Sequence, residues 1–499
     1  MATALSLLLE RLAVPARPFA RSLLGILLHV ATMVALTALS LLVTARPLFS
    51  VFVALAAVGL VVAVNNAKFE SLREPIVFTD LSLFSQLFSH PRLYLPFLSA
   101  AKIVMIAAGA VVVIAGFVLE PAMHPRPLTV PISMLAVALV MMASVARRMP
   151  MSLDPADDQC THGFWAAFVA YLFEGLRPSV FEAFRRMVAS SPFAAGRPAG
   201  QPDIVVIQSE SFFDPRAAIP AIEPSVLAHF DCARNESVRF GKLSVPAWGA
   251  NTMRTEFGFL TGLPDNRLGY ARFYPYAFVR HACASIASWF RDAGYETLAV
   301  HPYYADFFGR NRVFPLLGFD RFVDIEQFTN AQRAGPYVSD AAVTDAIVTA
   351  LDEPHDRPLF VFAMTMENHG PLHLERVTAG DPDGLHGLGD DEAWHDLTAY
   401  LRHLRNADAM IGRLLDDLRA RDRETVLCFY GDHVPALGHI FDKVGSPAQA
   451  SDYFIWRNFG VSASDRCDAS VEALGMAVVH ACEMTGCATS AARELESTT

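Results

Sequence analysis

Four long uncharged runs dominate the first third of the chain, at residues 22–45, 47–67, 103–119 and 127–146. A helix needs about 20 apolar residues to cross the hydrocarbon core of a bilayer, so each run predicts a transmembrane helix. The third is short, and Lys102 before it can snorkel its ammonium to the interface. The first is too long, and lacks the small-residue cleavage pattern, to be a removed signal peptide. A further apolar segment, GFWAAFVAYLFEGL at 163–176, is shorter and carries Glu174. It reads as a fifth crossing or as an interfacial helix. Between the second and third runs, KFESLREPIVFTDLSLFSQLF (68–88) mixes aromatic and polar residues at near-helical spacing. That mixture predicts a segment lying in the membrane interface.

Beyond ASSPFAAGRPAGQP (189–202), whose Pro, Gly and Ser predict a linker, the pattern changes. Short continuous apolar runs alternate with helical periodicity. The runs at 203–209, 296–300, 358–366 and 425–431 read as buried strands, and Trp394 to Arg421 reads as a long amphipathic helix. This alternation predicts an α/β fold with a mostly parallel sheet covered on both faces. The domain organisation expected is therefore a membrane domain over 1–188 with four to five crossings, a linker over 189–202 and a catalytic domain over 203–499.

Charge sharpens this picture. Arg11, Arg17 and Arg21 precede the first span, which places the N-terminus in the cytoplasm by the positive-inside rule. Lys68, Arg73 and Arg92 mark the next loop as cytoplasmic too, and Arg147-Arg148 follow the fourth span. Four crossings return the chain to the cytoplasm; a fifth, over 163–176, carries the second half across. The formal charge of −11 argues against a nucleic-acid partner. The seven cysteines form no CxxC pair. Cys467, Cys482 and Cys487 are near enough in sequence to bridge in an oxidising compartment, and separate buried thiols fit equally well.

In a mostly parallel sheet, ligands bind outside the carboxyl ends of the strands. Those ends carry the chemistry here. Glu210 follows the first strand, His301 the second, Glu367-Asn368-His369 the third and Asp432-His433 the fourth. A single strand-end Asp or His is ordinarily a capping residue; four strands delivering such groups to one edge point to a metal-dependent site. Oxygen and imidazole ligands suit Mn²⁺, Mg²⁺ or Zn²⁺, and the lack of cysteine ligands argues against a structural zinc. Among residues with blander readings, Asp340 looks like a helix start, Trp248 like a packing residue or pocket wall, and His373, His386, His395 and His439 like surface histidines.

Glu210 after a buried strand, GANTMRTEFGFLTG (249–262), HPYYADFFGRNRVFPLLGF (301–319), ENHGP (367–371) and YGDH (430–433) occur in an order that resembles lipoteichoic acid synthases and related phosphoglycerol transferases. These form a sulfatase-like branch of the alkaline phosphatase superfamily. The resemblance covers roughly 200–440, and it implies a sulfatase-like α/β/α sandwich behind transmembrane helices. It further implies that Glu210, Thr252, Asp432 and His433 bind one divalent ion, often Mn²⁺, and that Thr252 is the nucleophile. His301 and Arg310 would hold the phosphoglycerol group, with His369 beside the transferred phosphate. The family often has a tryptophan two residues before the arginine; Phe308 stands there and lacks the indole N–H.

The implied activity is a phosphoglycerol transfer from a membrane phospholipid such as phosphatidylglycerol to a glycan or polymer acceptor. The implied location is the inner (plasma) membrane, multi-pass, with an extracytoplasmic catalytic half. A threonine hydroxyl is a poor nucleophile until a metal or base activates it, so the metal set and the threonine support one another. Thr255, one turn on, is the competing threonine with a structural reading, and Glu256 is expected to support the loop. A phosphoethanolamine transferase would use the same logic, usually with zinc. Sulfate-ester hydrolysis would need a C/S-x-P-x-R motif where this chain has NTMRT; phosphodiester hydrolysis remains an alternative.

Overall fold

The structure is a computed structural model, and it describes residues 2–15, 20–81, 90–91, 100–125, 128–198, 200–460 and 463–483. The chain divides into two compact units, residues 1–183 with 269–273, and 184–268 with 274–499.

In the first unit, four helices are long and apolar enough to cross a membrane: Leu23–Thr44, Pro47–Leu72, Lys102–Leu119 and Thr129–Ala146. Each matches one of the four uncharged runs. Their outward side chains include Val104, Val112, Leu119, Val137 and Val140, which are exposed and large. This reverses the usual inside-out pattern and fits a solvent of lipid tails. The helix Phe164–Gly175 has only 12 residues, about 18 Å at 1.5 Å per residue, against a hydrocarbon core of about 30 Å. Its residues Phe164 to Tyr171 are buried inside the unit. The segment expected as a fifth crossing or an interfacial helix over 163–176 forms this short apolar helix. One polar cluster is buried in the same unit. Glu10 accepts a hydrogen bond from the Trp165 backbone N–H at 2.9 Å and pairs with Arg21, and His29 lies 3.6 Å from it. Arg21, counted above as a topogenic charge, is thus neutralised by a neighbour. Lys68 is tied to Asp80 at 2.8 Å, which holds down the start of the segment expected at the interface; residues 82–88 of that segment lie outside the described residues.

The second unit is built on a nine-stranded sheet. Its order is β10 (Asp465–Arg466), β2 (Arg239–Ser244), β9 (Ala450–Arg457), β8 (Thr425–Gly431), β1 (Asp203–Ser209), β7 (Leu359–Met364), β3 (Glu296–Val300) and β4 (Arg321–Val323), with β11 (Ala469–Ser470) pairing β2 beside β10. The strands β8, β1, β7, β3 and β4 run parallel, and the fully buried runs of β8, β1 and β7 fit that arrangement. β9 is antiparallel to both β8 and β2, so the sheet is mixed. Neither β2 nor β9 was foreseen. β2 (RFGKLS) is partly exposed and charged, and β9 follows a loop of small residues, so neither shows the isolated apolar run that marks the central strands.

Helices cover both faces. The long helix His395–Arg419 buries Leu397, Leu401, Leu404, Ile411, Leu414 and Leu418 at helical spacing. The helix Thr252–Thr261 lies on the other face. Its Phe259 ring stacks on Phe362 of β7 and Tyr430 of β8, at 5.7 and 5.1 Å between centroids. All of its residues from Met253 to Thr261 are buried. Burial of that kind, at about 1.5–3 kcal/mol per large apolar side chain, fixes the helix against the sheet and so fixes what stands at its N-terminus. The segment read as a linker is packed as well: Phe193 is buried, Ser191 Oγ donates to Thr261 O at 2.7 Å, and Trp289 Nε1 donates to Ala195 O at 3.0 Å. Cys467 and Cys482 are free thiols, and Cys487 lies outside the described residues.

Candidate active site

The register of the central strands builds the site. Ser209 pairs with Gly431 across β1 and β8, so the next residues, Glu210 and Asp432, leave the sheet side by side. Gly431 permits this closeness. A Cβ on it would lie 1.8 Å from the Phe212 carbonyl oxygen, so no larger residue fits. Ser211 N–H donates to Asp432 Oδ1 at 2.8 Å, and Ser211 Oγ donates to Glu210 Oε1 at 2.8 Å. His433 Nε2 lies 3.5 Å from Glu210 Oε1 and 3.4 Å from Asp432 Oδ2. One ligand atom from each of the three lies within 4.8 Å of the others.

These groups fit a divalent cation. All three are buried, and among the described residues neither Asp432 Oδ2 nor His433 Nε2 has a hydrogen-bond partner. Buried polar atoms are rarely left that way. Burial, then the Asp432 charge, pushes the Glu210 carboxyl up to about 8, which is the signature of crowded carboxylates lacking a compensating positive charge.

Thr252 is the first residue of the helix Thr252–Thr261. Two hydrogen bonds bracket it against the Asp432-His433 segment. Gly249 N–H, three residues before, donates to Val434 O at 3.0 Å. Thr255 Oγ1, three residues after, donates to Asp432 O at 2.8 Å. Between these ties the chain passes through Asn251 at φ 66°, a left-handed conformation. Thr255 is fully buried and committed to its bond; Thr252 is half-buried on the same helix face. The two threonines thus divide the labour that the sequence left open.

Arg310 begins the helix Arg310–Leu317 and is fully buried. Its Nη2 donates to Glu256 Oε2 at 2.8 Å and its Nε to Glu256 Oε1 at 3.1 Å, while Nη1 lies 3.3 Å from His301 Nε2. Glu256 also accepts from the Tyr276 hydroxyl. Glu256 therefore does not join the cluster of Glu210; it orients Arg310. Breaking such a buried pair is costly, about 3–5 kcal/mol. Burial, then the Arg310 charge, holds the His301 imidazole well below its usual pKa, so it is neutral. Phe308 is held at φ 56°, a conformation strained for a bulky side chain. Its ring lies 5.3 Å from the Arg310 guanidinium carbon, within cation–π range.

His369 follows β7. Its Nδ1 lies 2.7 Å from Gly370 O and 3.2 Å from the Tyr337 hydroxyl, and burial lowers its pKa. A neutral ring donating through Nδ1 leaves Nε2 with its lone pair. Glu367, which the sequence sends to the same edge, turns elsewhere. Its Oε2 accepts from Asp340 N–H at 2.7 Å and its Oε1 lies 3.0 Å from His403 Nδ1. Asp340 is indeed at a helix start, with Ser339 as the cap. Trp248 packs edge-on against Phe441, and His386 is buried against Thr398 rather than on the surface. Tyr276, Tyr337 and His403 were missed: none sits in a motif, and only the fold brings them to the site's charged residues.

Residues 202–477 match the family model described as Sulfatase. The chain belongs to the sulfatase family. A Rhizobium meliloti (strain 1021) protein named for cyclic beta-1,2-glucan modification is 30% identical over 304 residues, covering 60% of this chain and 46% of that one. The match thus spans less than half of that relative's length. A capsular polysaccharide biosynthesis protein, RkpI, from the same organism is 28% identical over 442 residues, 82% of this chain and 77% of that one. The integral membrane lipooligosaccharide phosphoethanolamine transferase A of Neisseria meningitidis shares the fold over 95% of each chain, with a TM-score of 0.54 and 13% identity. This sulfatase-family chain carries four helices long and apolar enough to anchor it in a membrane.

Two predictions follow from the geometry. Asp432→Ala and Glu210→Gln are each expected to lose the bound divalent ion, measured by elemental analysis of the purified full-length protein; Thr255→Ala is expected to retain it. For His403, burial lowers the pKa, but Glu367 and Glu375 outweigh burial and push it up to about 9, above the unfolded value of about 6.5. Its stabilising contribution is fully present below pH of about 6.5 and is lost as pH rises through about 9. The stability difference between the wild type and His403→Gln is expected to shrink by about 3 kcal/mol across that window, read from denaturation in detergent at fixed salt.

Proposed function

We propose that this chain moves a phosphoglycerol group from a phosphatidylglycerol-like phospholipid to a cell-envelope glycan, through a phosphothreonine at Thr252. The observation that carries this reading is the bracketing of Thr252 beside Glu210, Asp432 and His433 by the two hydrogen bonds to Val434 O and Asp432 O. Thr252, Glu210, Asp432 and His433 would hold the divalent ion, Mn²⁺ in this proposal. A dication bound there lowers the threonine hydroxyl's pKa and stabilises charge on the phosphate oxygens.

The residues of the chain do the rest. Thr252 Oγ attacks the donor phosphorus, the bond from phosphorus to the diacylglycerol oxygen breaks, and diacylglycerol leaves with a proton. The N-terminal amides of the helix Thr252–Thr261 favour the phosphate at the same place. Arg310, positioned by Glu256, offers Nη1 to a phosphate oxygen, and neutral His301 donates to the glycerol hydroxyls. Phe308 walls the headgroup with an apolar ring. In the second half, an acceptor hydroxyl gives its proton to His369 Nε2 and attacks the phosphothreonine, which frees Thr252. The names of the two Rhizobium meliloti relatives, glucan modification and capsular polysaccharide biosynthesis, support a glycan acceptor.

The transfer is placed on the extracytoplasmic side of the inner membrane, where such glycans are finished. Thr252→Ala is expected to abolish both phosphothreonine formation and diacylglycerol release, by at least about 10³-fold, while Thr255→Ala keeps the chemistry on a less stable protein. Mass analysis of the modified threonine reads the headgroup directly: phosphoglycerol supports the proposal, and phosphoethanolamine replaces it with the alternative transferase. A periplasm-dependent reporter fused at the C-terminus is expected to be active, with a second fusion at residue 155 showing whether the following segment crosses. A C-terminal reporter active only in the cytoplasm sinks the placement.

A further inference from the structure

A cavity of about 560 Å³ opens in the catalytic unit outside the Glu210–Asp432–His433 cluster. Its volume falls within the range of small-ligand sites, about 300–1,000 Å³. It has three walls: the turn 334–336, residues 374–376, and Arg402, His403 and Asn406 of the long helix His395–Arg419.

Every wall is tied to the short segment that carries His369. The turn 334–336 joins the strands β5 (Arg333–Ala334) and β6 (Tyr337–Val338), and the Tyr337 hydroxyl donates to Gly370 O at 3.2 Å. Residues 374–376 follow His369, Gly370 and Pro371 after Leu372 and His373. On the helix side, His403 Nδ1 lies 3.0 Å from Glu367 Oε1, and Asn406 Nδ2 donates to the same oxygen at 2.5 Å. Glu367 is two residues before His369.

The charges around the cavity are paired with one another. Arg402 bonds Glu375 at 3.0 Å and Asp381 at 3.3 Å. His403 lies between Glu375, at 2.7 Å, and Glu367. Counting Arg376, the cations are Arg376, Arg402 and His403, against the carboxylates of Glu367, Glu375 and Asp381. Arg402 and His403 are thus spent on carboxylates of the protein itself. What the cavity offers is guanidinium and amide hydrogen-bonding groups beside an apolar edge. That edge is Leu374, 64% exposed, with Pro336. Planar polar groups next to an exposed apolar patch match a pyranose ring, which presents hydroxyls at its rim and C–H groups on its faces.

We propose that this cavity is an acceptor subsite that binds a neutral saccharide unit of the glycan, next to the unit that is modified. The inference rests on the glycan-acceptor reading above and adds where the glycan is held. Because one wall belongs to the segment of His369 and the other two are hydrogen-bonded to that segment, a saccharide seated here lies along the chain that presents the imidazole.

The test uses the full-length protein in detergent micelles and a neutral β-glucan hexasaccharide, titrated calorimetrically. Arg376→Ala and Leu374→Ser alter exposed side chains, and an unchanged thermal midpoint checks their folding. Each is expected to weaken hexasaccharide binding by more than about threefold, equal to about 0.65 kcal/mol, whereas Thr252→Ala binds as the wild type does. Binding by both variants within about threefold of wild type, or no binding by the wild type, overturns the subsite. The two readings fail separately. Cavity-dependent binding by a protein that carries no phosphoglycerol on Thr252 removes the donor assignment and leaves the subsite standing. Phosphoglycerol on Thr252 with cavity-independent binding removes the subsite alone.

Discussion

Glu210 and Asp432 are forced together in a buried place where two carboxylates repel. The force comes from the pairing of Ser209 with Gly431 in a parallel sheet whose central strands are wholly buried. Hydrogen bonds from Ser211 and the absence of a side chain on Gly431 allow the approach. The repulsion is large at low dielectric, and a divalent ion is the economical way to offset it. The fold thus stores an unfavourable pairing that binding relieves, and the neighbouring residues are arranged around that relief.

The positive side of the site is organised by the same logic with opposite sign. Arg310 is buried and would be costly alone, so Glu256 holds it in a two-pronged pair and Tyr276 holds Glu256. Glu256 sits one residue after Thr255 on the helix that begins at Thr252. One ten-residue helix therefore carries the candidate nucleophile, the tie to Asp432 and the partner of Arg310. Its position is set by Phe259 stacked on β7 and β8, so apolar packing under the sheet determines the geometry of polar groups at its edge. The strain at Asn251 and Phe308, both at positive φ, lies at the entrances to the two helices that bear these groups.

The central strands, the long helix His395–Arg419 and the four membrane helices were legible along the chain because each is periodic or continuous in hydrophobicity. The expected strand at 203–209 and that at 425–431 match β1 and β8 to the residue. The strands β2 and β9 were not legible: β2 is partly exposed and charged, and β9 mixes Ser451, Asp452 and Arg457 with a short apolar run. The segment 163–176 supports two readings for a related reason. Apolar composition reports burial, and a 12-residue helix buried in protein has the same composition as one buried in lipid.

Sequence by itself determined which residue types stand at the strand ends, since a buried parallel strand must stop where polar residues begin. It thereby determined Glu210, His301, His369, Asp432 and His433 as candidates, and it offered Thr252 and Thr255 together, of which the family resemblance pointed to Thr252. Only the tertiary structure decided which of them meet. Glu367 follows its strand as closely as Glu210 follows its own, yet it faces Asp340 and His403. Thr255 and Thr252 differ by three residues, yet one is spent on the Asp432 carbonyl. Strand order, register and helix rotation set those choices. They arise from contacts between residues far apart in the chain, which no local pattern of hydrophobic and polar positions encodes.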